Sequence, residues 1–173
     1  MAKQKPASRA VVRATAQKKS SAPKIAVKST SREPLKTMPG AKPHRSKQRI
    51  AISHYREQDF APNGLRAYAH YRDLGIAAAT DGLAQAHVIR LIGPCNPAEV
   101  SKLHFHDIEF QMVYVLKGWV KTYLEGQGET LMKEGSCWTQ PPRVKHLILD
   151  YSDRCELLEI ILPAEFKTVE LST

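Results

Sequence analysis

The stretch HFHDIEFQMVYVLKG, residues 104–118, decides how the rest of the chain is read. It opens with two imidazoles at positions i and i+2, His104 and His106. On an extended chain those side chains lie on one face, close enough to share one ion. Neutral imidazole is a common ligand for zinc, iron, nickel and copper. Strand histidines at this spacing can also be satisfied by hydrogen bonds alone, so the pair by itself leaves both readings open. The residues that follow are β-branched and aromatic and end at Gly118, which predicts a strand closed by a turn.

Working outward, the flanking chain also reads as short strands separated by turns. Leu83–Ile92 is one, closed by Gly93-Pro94. Asp107–Lys117 ends at Gly118, Trp119–Glu125 at Gly126, Glu129–Lys133 near Gly135, and Ser136–Gln140 at Pro141-Pro142. His146–Tyr151 and Cys155–Leu162 complete the set. Strands this short and this closely spaced predict an all-β sandwich or barrel. Pro163 stands where the first turn of a helix accepts proline, so Ala164–Leu171 is predicted as a short C-terminal helix.

A second stretch, GSCWTQPPRVKHLILD at residues 135–150, agrees with the first. Together they resemble the paired motifs of the cupin family, in particular small single-domain cupins with a type-2 conserved barrel. The family's first motif runs Gly, five residues, His-x-His, three or four residues, Glu, six residues, Gly. His104, His106 and Gly118 match it. Gln111 stands at the Glu position, and the leading Gly has no counterpart, because Gly93 lies too far upstream. The second motif runs Gly, five residues, Pro-x-Gly, two residues, His, three residues, Asn. Gly135, Pro141 and His146 match, with Arg143 in place of Gly and Asp150 in place of Asn. The resemblance covers roughly residues 86–162. It implies a jelly-roll barrel holding one divalent transition metal (Fe, Mn, Ni, Zn or Cu) through His104, His106, Gln111 and His146. Gln111 would bring an uncharged amide oxygen, leaving the full charge on the ion to polarise a bound oxygen. Glu109, two residues earlier, is the alternative fourth ligand.

The chain of 173 residues is 42% hydrophobic, enough for one domain with some excess. Its net charge of +9 is unevenly placed. Residues 1–49 hold 14 Lys/Arg and one acid, Glu33, a balance of +13, whereas the remainder carries −4. The same 49 residues lack Phe, Trp and Tyr and carry five prolines, which predicts a disordered basic tail. Such a tail suits nonspecific contact with nucleic acid or an anionic membrane. The alternatives are a solvated tail with no partner, or residues that precede a start at Met38. Residues 50–82, with Tyr55, Phe60, Tyr68 and Tyr71, are predicted as an arm packing on the barrel or across a homodimer, and Leu65–Arg72 can pair as a strand. Residues 83–173 are then the barrel with its C-terminal helix.

Cys95, Cys137 and Cys155 form no paired framework, which points to reduced thiols and the cytoplasm. An organelle transit peptide is the alternative use of the basic segment. No apolar run is long enough for a membrane span, and no apolar stretch follows the basic N-terminus as a secretory signal requires.

Phe105, Met112, Val113, Val115 and Leu158 are expected to line the barrel, and Cys137 to fill a small core position. His70 and His87 read as packed or hydrogen-bonded histidines. Trp119 and Trp138 suit core, interface or pocket. Glu159, set among Leu157, Leu158, Ile160 and Ile161, is either a buried acid of raised pKa or one that pairs with Arg or faces solvent. Glu109 and Glu159 are the only general-base candidates. No Gly-rich phosphate loop, Ser/His/Asp pattern or helix-turn-helix is present. Two function classes remain. One is a metal-dependent oxygenase or isomerase acting on a small organic substrate, as the resemblance implies. The other is a non-enzymatic module that binds or senses a metal or small ligand.

Overall fold

The computed structural model describes residues 47–62, 64 and 66–171. All but the last three residues of the expected basic tail, 1–49, lie outside the described residues. The strands are β1 (Ala69–Asp73), β2 (Gln85–Leu91), β3 (His104–Asp107), β4 (Phe110–Lys117), β5 (Trp119–Leu124), β6 (Gly128–Lys133), β7 (Cys137–Thr139), β8 (His146–Tyr151), β9 (Glu156–Leu162) and β10 (Lys167–Glu170). They form two antiparallel sheets, ordered β1-β2-β9-β4-β7 and β10-β3-β8-β5-β6. Two single-turn helices, α1 (Ile76–Ala79) and α2 (Pro97–Val100), sit in the connections. Asn96 caps α2 by accepting from the Ala98 N–H. No helix among the described residues is long and apolar enough to cross a membrane.

The period-2 alternation of each strand sets what lies between the sheets. β5 sends Val120, Thr122 and Leu124 inward, and β4 sends Gln111, Val113 and Val115. Leu91, Leu157 and Cys155 join Val113, Val115 and Val120 in one buried cluster. Val115 and Val120 are fully buried, each contributing about 1.5–3 kcal/mol by leaving water. The motif glycine Gly118 turns β4 into β5 at φ +75°, and a Cβ there would stand 2.3 Å from the Ser152 hydroxyl. That position therefore excludes other residues on two grounds.

Residues 49–61 run over the outer face of β1 and β2. The Arg49 N–H donates to the Ala79 carbonyl, and Ala61 bridges to Tyr71. Arg90, only 4% exposed, pairs with Glu57 at 2.6 Å and Glu156 at 2.8 Å, and its guanidinium lies 3.7 Å from the Phe60 ring centroid. Arg72 donates to the Ser53 hydroxyl at 3.0 Å. Burying Arg90 is tolerable because two carboxylates satisfy its charge, whereas Arg72 is held by the Ser53 hydroxyl and carbonyl.

Four expectations need correction. The C-terminal helix is absent, and Lys167–Glu170 instead pairs with β3, from Lys167 opposite Asp107 to Glu170 opposite His104. The β-branched pair Thr168-Val169 suits a strand, and the β3 edge supplies hydrogen bonds that a lone turn of helix would lack. The single strand Asp107–Lys117 is two, because the chain leaves one sheet after Asp107 and enters the other at Phe110. Phe105, Met112 and Leu158 do not line the interior. Alternation turns Phe105 away from the face used by His104 and His106, where Arg143 covers its ring at 4.7 Å. Met112 and Leu158 share the outer face with Tyr114, which pairs with Leu158. Cys137 is exposed, since it lies opposite Tyr114 on β7 at the edge of its sheet.

Candidate metal centre

The antiparallel pairing of β3 with β8 puts His104 directly opposite His146. His106, two residues along β3, falls on the same face. The three rings are 4.3–5.1 Å apart between centroids, and one nitrogen of each lies within 4.8 Å of the other two. The Nδ1 atoms are taken by neighbours. His104 Nδ1 donates to the Lys102 carbonyl at 2.7 Å and His146 Nδ1 to the Val144 carbonyl at 3.0 Å. Carbonyls only accept, so these two rings carry their proton on Nδ1 and keep the Nε2 lone pair. The Thr168 hydroxyl sits 2.9 Å from His106 Nδ1 and can accept in the same way.

Burial is the main reason that the three rings stay neutral. It pushes His106 and His146 down to about 4, and it also lowers His104. The charge of Arg66 works in the same direction on His104 and His106. Neutral imidazoles held by a second hydrogen bond are what a borderline divalent transition metal requires. The donor set therefore fits such an ion.

Gln111 is 2% exposed, and both ends of its amide are engaged. Its Nε2 donates to Glu159 Oε1, and its Oε1 accepts from Gln140 Nε2 at 3.2 Å. Gln140 Nε2 also donates to the His146 Nε2 lone pair at 2.9 Å, while Gln140 Oε1 accepts from the Trp138 indole at 3.0 Å. Gln111 thus meets the histidine cluster through Gln140. Glu109 is exposed, ahead of β4, with its N–H on the Leu162 carbonyl.

Across the interior, the β2–β9 register sets His87 opposite Glu159, and His87 Nε2 lies 2.6 Å from Glu159 Oε2. Burial opposes the charge on Glu159. The hydrogen bond and charge of His87, helped by the Gln111 amide, nonetheless hold its carboxyl below the ordinary carboxylate value. Neither expectation for Glu159 holds: its pKa is not raised, and its partner is His87 where Arg or solvent was expected. His87 is hydrogen-bonded as expected. Both walls enclose a cavity of about 520 Å³ lined by the three histidines, His87, Glu159 and Trp138.

Sequence reasoning missed Gln140, Thr168 and Arg66. Gln140 carried no signal beyond its place before Pro141-Pro142. Thr168 was hidden by the helix reading. Arg66 was one cation among many, although it is among the residues that line the cavity.

No protein-family model matches the sequence, and no curated protein matches it at a significant level. Solved structures do match. The structure of KdgF from Halomonas sp. superposes with a TM-score of 0.52 at 15% identity, over 65% of this chain and 96% of that one. The polyketide cyclase RemF from Streptomyces resistomycificus gives 0.54 at 15% identity, over 70% and 87%. Salicylate 1,2-dioxygenase from Pseudaminobacter salicylatoxidans gives 0.54 at 12% identity, over 77% of this chain and 44% of that one. At such identities the likeness is one of fold, and the fold is the cupin fold. Within it, this chain carries a three-histidine group that can hold a metal ion.

Proposed function

We propose that the protein is a metal-dependent enzyme of the small type-2 cupin kind, an oxygenase or isomerase acting on a small organic molecule. The observation that carries this reading is the convergence of three neutral imidazoles on a cavity of about 520 Å³ whose far wall holds the Glu159–His87 pair. One divalent transition metal (Fe, Mn, Ni, Zn or Cu) would be held by His104, His106 and His146, with Gln111 as the fourth ligand. Freeing the Gln111 oxygen and the His146 Nε2 lone pair needs only one movement, since Gln140 Nε2 donates to both. When bound, the metal supplies Lewis acidity and an open coordination position. The chain's own residues shape the site: apolar side chains line part of the cavity, and Glu159 with His87 keeps a hydrogen-bonded pair beside the substrate space. The matched salicylate dioxygenase and polyketide cyclase support small organic molecules as the substrate class.

Elemental analysis of protein purified without added metal tests the site. We expect about one metal per chain in the native protein and background levels in a His104→Ala/His106→Ala variant. Equal content in the two sinks the assignment. An oxygen-consumption screen then addresses turnover.

A second reading is a non-enzymatic module that binds or senses a ligand. It is favoured by the engagement of both Glu159 oxygens, by His87 and Gln111, which ties up one of the two acids that the sequence offers as a base. Ligand binding without any turnover across the screen would select it.

We further read residues 50–82 as an arm and 83–173 as the barrel of a cytoplasmic homodimer. Exposed Phe110, Tyr114 and Leu116 on the outer face of β4 support an apolar contact between copies. Residues 1–49 would add weak, salt-sensitive contact with nucleic acid or anionic membrane. Sedimentation of the full chain and DNA titration at several salt concentrations check both points.

A further inference from the structure

Across the cavity from the three clustered histidines, another imidazole is arranged in the opposite sense. His87 and its neighbours Tyr71, Gln85 and Glu159 all line that cavity. The His87 side chain is 13% exposed, so the ring is not sealed off. Its Nε2 lies 2.6 Å from Glu159 Oε2, and its Nδ1 lies 3.4 Å from the Gln85 amide nitrogen.

Those two partners place the ring proton. Glu159 is held as a carboxylate, which only accepts, so His87 Nε2 carries the hydrogen. The Gln85 amide nitrogen only donates, so Nδ1 presents its lone pair. A proton on Nδ1 would set two donors against each other. At 3.4 Å the Gln85 contact is at the outer limit of a hydrogen bond, and it holds that lone pair weakly. His104 and His146 are protonated the other way, on Nδ1. A carboxylate behind an imidazole fixes its tautomer and steadies the imidazolium that forms when the ring takes a proton. The Tyr71 ring packs edge-on against His87 at 5.4 Å between centroids, and Asp73 stands opposite it on β1. The Gln111 amide engages the second Glu159 oxygen and holds the carboxylate in place.

We propose that His87, oriented by Glu159, is the acid–base group of the cavity and that the reaction is a proton-transfer isomerisation. The proposal rests on the enzymatic reading of this cavity and chooses between the two reaction classes named for it. In the step, the Nδ1 lone pair forms an N–H bond as a substrate C–H bond beside a carbonyl breaks. The electron pair stays on the substrate as an enolate, and Glu159 matches the new imidazolium charge. Return of the same proton to a neighbouring atom of the substrate restores the lone pair, so no oxidant or reductant is consumed.

Two measurements on the full chain test the assignment. Nitrogen NMR of histidine-labelled protein in mildly alkaline buffer, with His87 assigned through its backbone, is expected to show Nε2 protonated and Nδ1 bare. The second uses nitrobenzisoxazole, a planar carbon acid that needs only a base. The base takes its ring C–H proton, the electron pair becomes the C≡N bond, and the N–O bond opens to a coloured phenolate. The native chain is expected to open it about a hundredfold faster than His87→Gln, as a well-placed general base provides. Gln keeps a donor for Glu159, so the thermal midpoint and metal content should stay near native values. Imidazole added to His87→Ala is expected to restore part of the rate.

A proton on His87 Nδ1, or equal rates for the native chain and His87→Gln, overturns the proposal. If the variants fail to fold, the tautomer in the native protein decides. The probe needs no metal. A rate that depends on His87 in chelator-treated protein keeps this assignment even if the metal site fails. Metal-loaded protein whose rate ignores His87 sinks this assignment and leaves the metal site standing.

Discussion

The two walls of the cavity solve the burial of titratable groups in opposite ways. The β3–β8 wall holds three imidazoles whose Nδ1 partners are neutral oxygens, and burial outweighs the nearby Glu170 and Glu159 charges and keeps them uncharged. The β2–β9 wall holds an acid directly bonded to an imidazole, and there the carboxylate keeps its charge in spite of burial. The contrast teaches that depth alone does not decide ionisation here; the nearest partner does. It also separates the groups that serve the fold from those that serve a ligand. Glu159 opens a hydrogen-bonded chain that runs through Gln111 and Gln140 to the His146 Nε2 lone pair, whereas His104 and His106 stand outside that chain.

The largest expected effect is on the ligand wall. Replacing both His104 and His146 by alanine should abolish metal retention in a chelator competition, while circular dichroism still reports a β fold. Next comes acid. Between pH 6.5 and about 4 the unfolded chain binds protons that the buried His106 and His146 refuse. Metal-free protein should therefore keep the full contribution of these rings above pH 6.5 and lose it as the pH falls through that window. The slope is about 1.4 kcal/mol per pH unit for each proton, and urea midpoints across the range measure it. A flat profile would mean that the rings titrate normally.

Substituting Glu159 by leucine tests the other wall. It strands His87 and Gln111 and should cost about 3 kcal/mol in metal-free protein. His106→Leu should cost less than about 1 kcal/mol in the same assay, because it removes one hydrogen bond and adds apolar contact. Similar costs for the two would erase the distinction between the walls. The smallest effect belongs to Thr168→Val, which removes the acceptor at His106 Nδ1 and should weaken metal affinity about tenfold with little change in stability. A chelator titration resolves that difference.

The histidine wall was legible because its chemistry is local. His104 and His106 announce themselves by spacing, and His146 follows from a second motif. The strands were legible for the same reason, since turns and alternation are short-range signals. The opposite wall depends on register. His87 and Glu159 are 72 positions apart and meet only because β2 and β9 align them. Glu159 stood out in the sequence as a lone acid in an apolar run, but nothing local named its partner. The error at residues 164–171 had a similar origin. Proline, alanine and glutamate suit a helix start, and the open edge of β3 that overrode them lies some 60 residues earlier. Alternation would have exposed one misreading without any structure: Phe105 cannot share a face with both of its histidine neighbours.

Gln140 has a consequence for the pace of metal uptake. Its amide hydrogen already occupies the His146 lone pair that an ion would use. Loading is therefore an exchange between two occupants, and its speed is bounded by how often the amide swings aside. A carboxamide also held by the Trp138 indole and the Gln111 oxygen swings seldom. The site should thus fill slowly and empty slowly, discriminating by residence time as well as by affinity. An abundant but transient ion would pass by, and one that stays through the exchange would remain.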